Sequence, residues 1–125
     1  MSKKIIVIDD EPLVLKTVGK LLEIEGYFVT TSESGKEALA IIEQEEIDLV
    51  ISDIRMPNMN GVETISIMIE RCKDKKREAP PFIFITGYAD EVVNQKAQDL
   101  DPADFIMKPF NQIDFLQSVK KALGV

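Results

Sequence analysis

Five short runs rich in branched apolar residues recur through this chain, and each is followed by a stretch whose apolar positions repeat at helical spacing. That alternation restricts the fold more than any other feature, because strand–helix repeats in one short chain call for a parallel sheet with helices on both faces. The runs are Lys4 to Ile8, Tyr27 to Thr31, Ile47 to Ser52, Phe82 to Ile85 and Asp104 to Met107. Most are apolar at nearly every position, as parallel strands buried on both sides require.

The intervening helices have legible starts and stripes. Pro12 suits a first turn, Val14, Val18, Leu21 and Leu22 share one face, and Gly26 ends the segment. Ser34 and Glu37 have capping-box spacing ahead of Ala38, Ile41 and Ile42. Val62, Ile65, Ile69 and Cys72 form a third stripe, which makes Cys72 a core residue before it is a reactive thiol. The fourth helix, from about Asp90 to Asp99, is the weakest, with only Val92, Val93, Ala97 and Leu100 apolar. Asn111 caps the last, whose buried side is Leu116, Val119, Ala122 and Leu123. The expectation is an α/β, flavodoxin-like fold: one domain over residues 1–125, with a five-stranded parallel sheet and five flanking helices.

Composition narrows the function. A net charge of −7 argues against direct nucleic-acid binding, which needs clustered Lys and Arg. The one basic cluster, Arg71 to Arg77, is interrupted by Asp74 and reads as a solvated helix end. Histidine is absent, which removes Ser-His-Asp hydrolysis, His-ligated zinc and a phosphohistidine carrier. No apolar run approaches the roughly 18 residues of a membrane span. With a single cysteine and no signal peptide at Met1 to Lys4, a reducing, cytoplasmic setting is expected.

The chemistry collects at the carboxyl ends of the strands. Asp9 and Asp10 follow the first, Asp53 the third, Thr86 the fourth and Lys108 the fifth. In open α/β sheets ligands bind at that edge, where the strand order reverses. With order 2-1-3-4-5, Asp10 and Asp53 face each other from strands about 4.8 Å apart. Lys108 then lies two strands, about 10 Å, from Asp53, within reach of its long stem. Like charges about 4 Å apart repel by about 4 kcal/mol at an effective dielectric of 20. The cluster therefore calls for a cation, and Mg²⁺ (or Mn²⁺) suits a few carboxylates with several waters.

Taken together, IDDE at Asp9–Asp10, DIRMPNMNG from Asp53 through Met56, Pro57 and Asn60 to Gly61, ITG at Thr86–Gly87, and KPF at Lys108–Pro109 resemble the receiver domain of bacterial two-component response regulators. The likeness runs from about Lys3 to Leu123. It implies a CheY-like domain in which Asp53 accepts a phosphoryl group from the phosphohistidine of a histidine kinase or a histidine phosphotransfer protein. It also implies that Asp10, Asp53 and the Arg55 backbone carbonyl bind Mg²⁺, with Asp9 holding one of its waters. Lys108 and Thr86 would contact phosphoryl oxygens. Thr86 and Phe105 would form the switch, acting on a downstream protein or fused output domain through the fourth helix, fifth strand and fifth helix. Phe105 stands where the family usually has Tyr, so a tyrosine hydroxyl is not available. Arg55 and Tyr88 occupy positions that vary in the family and tune phosphate lifetime. The resemblance further implies a cis Lys108–Pro109 bond. A monomer or a phosphorylation-dependent dimer is consistent with it, and autocatalysed phosphorylation rather than turnover of a separate substrate.

Other readings fit less well. A phosphate-independent interaction module of the same fold usually lacks the acceptor, the acidic pair or the lysine, and all are present here. A haloacid-dehalogenase-type phosphatase places Asp-x-Asp after the first strand, and a flavin site would be repelled by Asp9, Asp10 and Glu11.

Overall fold

The computed structural model describes residues 2–87 and 90–125. Its elements alternate strictly: β1 (Lys4–Ile8), α1 (Pro12–Ile24), β2 (Phe28–Ser32), α2 (Gly35–Gln44), β3 (Leu49–Asp53), α3 (Gly61–Asp74), β4 (Phe82–Thr86), α4 (Glu91–Asp99), β5 (Asp104–Met107) and α5 (Gln112–Leu123). The strands form one sheet in the order β2-β1-β3-β4-β5, all pairs parallel, so the order reverses between β1 and β3.

Alternation along each strand divides the core in two. Ile6, Ile8, Val50, Phe82 and Phe84 face α2, α3 and α4. Ile5, Val7, Leu49, Ile51, Ile83 and Ile85 face α1 and α5. The helix stripes hold at Val18, Leu22, Ala38, Ile42, Val62, Ile65, Cys72 and Val119, which are buried, and the departures are to adjacent positions. Leu15, Leu39, Met68 and Phe115 are fully buried, whereas Val14, Leu21, Ile41, Ile69 and Leu116 sit at the margins. A 3.6-residue period leaves two adjacent columns equally apolar, and only the packing angle selects between them.

Three strands also differ from their expected bounds, β4 only by taking in Thr86. β2 begins at Phe28, not Tyr27, because the Phe28 N–H donates to Lys3 O and sets the ladder there. β3 begins at Leu49, not Ile47, because Asp48 closes the preceding turn: its N–H donates to Lys4 O and its carboxylate accepts from Lys4 N. At its other end β3 continues through Asp53, which pairs with Ile85 of β4. The acceptor candidate is thus the last residue of a strand rather than the first of a loop.

The turn before β5 keeps its register despite Pro102. Asp101 takes a left-handed conformation at φ 58°, and the Ala103 N–H donates to Phe82 O. Lys108–Pro109 is cis.

After β3 a short loop leads to α3, whose start is capped by Asn60. Its side chain accepts from Glu63 N at 2.9 Å while Glu63 accepts from Asn60 N at 3.0 Å, a complete capping box. At Ser34 only the forward half forms, with Glu37 N donating at 3.2 Å. Asn60→Ala should lower stability by about 1 kcal/mol in urea denaturation.

Candidate functional site

Asp9 leaves β1 and Asp53 ends β3 on neighbouring strands, and both continue the alternation that faces α1 and α5. They are 2% and 4% exposed. Asp10, less buried, completes the group, and one oxygen from each carboxylate lies within 4.8 Å of the others. From the far end of the sheet Lys108 reaches across β4. Its Nζ is 3.1 Å from Asp9 Oδ2 and 3.6 Å from Asp53 Oδ2. Backbone bonds hold these donors in place: Lys108 N–H donates to Thr86 O, Asp9 N–H to Ser32 O, and Glu11 N–H to Asp9 Oδ1.

The charges press on one another. Removal from water raises the pKa of Asp53 from 3.8 to about 6, and the Asp9 carboxylate adds to the rise. The Lys108 ammonium and the Ile54 N–H pull it back, and Asp10 adds a smaller upward push. For Lys108 burial opposes the charged form, but the hydrogen bond to Asp9 and the charges of Asp53, Asp9 and Glu11 outweigh it, so its pKa is raised. One ammonium therefore stands against three carboxylates. The donor set fits a hard, oxygen-preferring divalent cation.

On the other face of the sheet edge, Thr86 is 1% exposed at the end of β4. A depression beside it is bordered by Arg55, Asn60, Asp90, Val93 and Asn94, under the start of α4. Arg55 also borders a second depression with Asp10 and Glu11, so its exposed side chain lies between the acidic group and the α4 side. Phe105, half-buried on β5, packs against the core cluster that includes Val93, Ala97 and Leu100.

Comparison with known proteins decides the family. The model of the response regulator receiver domain matches residues 5–120. The chain belongs to that family. A response regulator receiver domain protein (CheY-like) of Methanospirillum hungatei has a crystal structure that superimposes with a TM-score of 0.87, at 31% identity over 99% of this chain and 95% of that one. The transcriptional regulatory protein GlrR of Escherichia coli is 33% identical over 95% of this chain, which spans 26% of GlrR. A 14.6 kDa protein of Leptolyngbya boryana is 35% identical over 94% of this chain and 87% of its own length. Receiver domains are phosphorylated in two-component signalling, bind Mg²⁺ at an acidic Asp cluster, and work with histidine kinases and output domains.

As a receiver domain, the molecule brings Asp9, Asp10, Asp53 and Lys108 together as the sequence suggested, with Thr86 on the adjacent strand end. Lys108 reaches past β4 and contacts both the Asp9 and the Asp53 carboxylate. Tyr88 lies outside the described residues. Sequence reasoning missed the groups that orient Asp53. The Ile54 N–H donates to Asp53 Oδ1 at 2.8 Å and the Ser52 hydroxyl to Asp53 O at 2.8 Å. Gly61 is packed so closely that a Cβ there would lie 2.1 Å from Asp53 O. A backbone N–H leaves no trace in sequence, but a glycine opening a helix was a readable signal. Among the described residues, no helix is long and apolar enough to cross a membrane.

The raised Asp53 pKa has a stability consequence. Between pH 3.8 and about 6 the native carboxyl keeps a proton that the unfolded chain has lost, so stability falls as pH rises through that window. The gap is worth about 3 kcal/mol, fully felt above pH 6. Without divalent metal, Asp53→Asn should be the more stable protein by about 1–3 kcal/mol at pH 7 in urea denaturation. The difference should vanish near pH 4.

Proposed function

We propose that this receiver domain accepts a phosphoryl group on Asp53 from a phosphohistidine and thereby switches its α4–β5–α5 surface. The observation that carries this reading is the Lys108 ammonium set between Asp9 and Asp53 at the reversal point of the sheet. An ammonium beside a buried carboxylate favours its ionised form, which is the form that attacks phosphorus. A P–O bond to Asp53 forms as the P–N bond to the donor imidazole breaks, and the bonding pair returns to the imidazole nitrogen. Lys108, already within 3.6 Å of Asp53 Oδ2, holds an oxygen of the incoming group as a point charge. The Thr86 hydroxyl, at the end of the neighbouring strand, donates to another.

Asp10, Asp53 and the Arg55 carbonyl would hold Mg²⁺ or Mn²⁺, with Asp9 on a bound water. When bound, the ion offsets charge as a phosphoryl dianion meets a carboxylate. Phe105 and Thr86 form the switch pair, supported by their positions on one face of the adjacent strands β4 and β5 and by the contact of Phe105 with the α4 side of the core. The partners are a sensor histidine kinase or histidine phosphotransfer protein and a downstream protein or output domain, since the chain spans 26% of a longer regulator such as GlrR. The setting is cytoplasmic, and the domain runs as one unit over residues 1–125.

Intact-mass spectrometry after incubation with acetyl phosphate tests the reading. One phosphoryl group should be gained with Mg²⁺ and none without it or in Asp53→Ala. Absence of any gain in the wild type, with beryllofluoride also failing to bind, would support a phosphate-independent interaction module instead. Arg55, between the two depressions, shields the phosphoryl group from water. Arg55→Ala should shorten the lifetime of the phosphorylated species severalfold, read by the decay of the same mass peak.

A further inference from the structure

Ser52 is fully buried in the middle of the sheet, aligned with Ile8 of β1 and Phe84 of β4. A hydroxyl is a poor choice there for packing, because burying it without a partner is unfavourable. Its partner is not a group across the sheet but the carbonyl of the next residue: Ser52 Oγ donates to Asp53 O at 2.8 Å. That carbonyl belongs to the peptide whose other side is the Ile54 N–H, and this N–H donates to Asp53 Oδ1 at 2.8 Å. A peptide unit is a rigid plane, so fixing its C=O fixes the direction of its N–H.

Gly61 confines the same plane from the other side. Its Cα is packed against Asp53 O so tightly that a Cβ would sit 2.1 Å from that oxygen. Its own N–H donates to Ile54 O at 2.7 Å, which pins the following peptide. With Oδ1 held by Ile54, the other carboxylate oxygen, Oδ2, is the one that faces Lys108 at 3.6 Å.

We propose that Ser52 is a positioning residue: through the 53–54 peptide its hydroxyl sets the orientation of the Asp53 carboxylate for phosphoryl transfer. Without the hydroxyl the carbonyl loses its donor, the plane is free to rock between Gly61 and the vacated space, and the Ile54 N–H no longer points steadily at Oδ1. The reacting oxygen then spends less time in line with the donor, and misplacements of about 1 Å cost up to about a hundredfold in rate. The consequence for rate rests on Asp53 being the phosphoryl acceptor; the orientation itself does not.

Two measurements on Ser52→Ala separate these. The rate of phosphorylation by acetyl phosphate at saturating Mg²⁺, followed by intact mass, should fall about tenfold to a hundredfold. In NMR spectra of the unphosphorylated protein, the Ile54 amide proton should move upfield and exchange faster, while the amides of Val50 and Ile51 keep their protection. A general loss of packing would weaken protection along β3 without singling out Ile54. A rate within about twofold of wild type would overturn the proposal, and so would an unchanged Ile54 amide, even beside a slower rate. If the wild-type protein takes no phosphoryl group at all, the reading of Asp53 as acceptor fails, and the Ile54 amide alone still decides whether Ser52 orients the carboxylate.

Discussion

The repulsion between the Asp9 and Asp53 carboxylates at one sheet edge is the constraint around which this structure is arranged. Two almost fully buried acidic groups on adjacent strands are unfavourable in a low-dielectric site unless a positive charge reaches them. That charge comes from Lys108, 99 residues from Asp9 in the chain, and only a sheet that carries β5 past β4 can deliver it. One ammonium does not balance three carboxylates. What remains is a site that favours a further cation and, with it, an anionic substrate.

The same edge joins two regions of unequal firmness. The carboxylates rest on β1 and β3, whose apolar residues are fully or almost fully buried. Thr86 and Phe105 instead lie toward α4, of which only Ala97 is buried. Segments with few buried apolar contacts open and shift at lower free energy than core strands. The switch proposed above would thus begin as charge at the firm side and end as movement on the loose side, with the sheet intact.

Much of this was legible in the sequence because the relevant patterns are short-range. The strand–helix alternation, the Ser34 and Asn111 caps, and the polar residues after four of the strands are read within windows of a few positions. The departures share a cause. Val14, Leu21, Ile41 and Ile69 were assigned to the core in place of Leu15, Leu39 and Met68, because a helix stripe has two columns of similar apolarity and the crossing angle chooses between them. The starts of β2 and β3 moved because hydrogen bonds to Lys3 and Lys4, far away in the chain, fix where each ladder begins. Ser52 went unremarked for a related reason: in a strand it reads as one tolerated small residue, and its hydroxyl acquires meaning only from the carbonyl it meets.

Hydrophobic period and residue chemistry were enough for the class of fold, for the strand-end location of Asp9, Asp10, Asp53 and Lys108 and, through four short motifs, for the receiver-domain resemblance. Both are local. Tertiary structure alone decided that Lys108 touches both Asp9 and Asp53, that Asp53 belongs to β3 rather than to the loop, and that Gly61 and Ser52 grip its carbonyl. Those are matters of a few tenths of an ångström between segments remote in the chain, and no one-dimensional pattern encodes a distance.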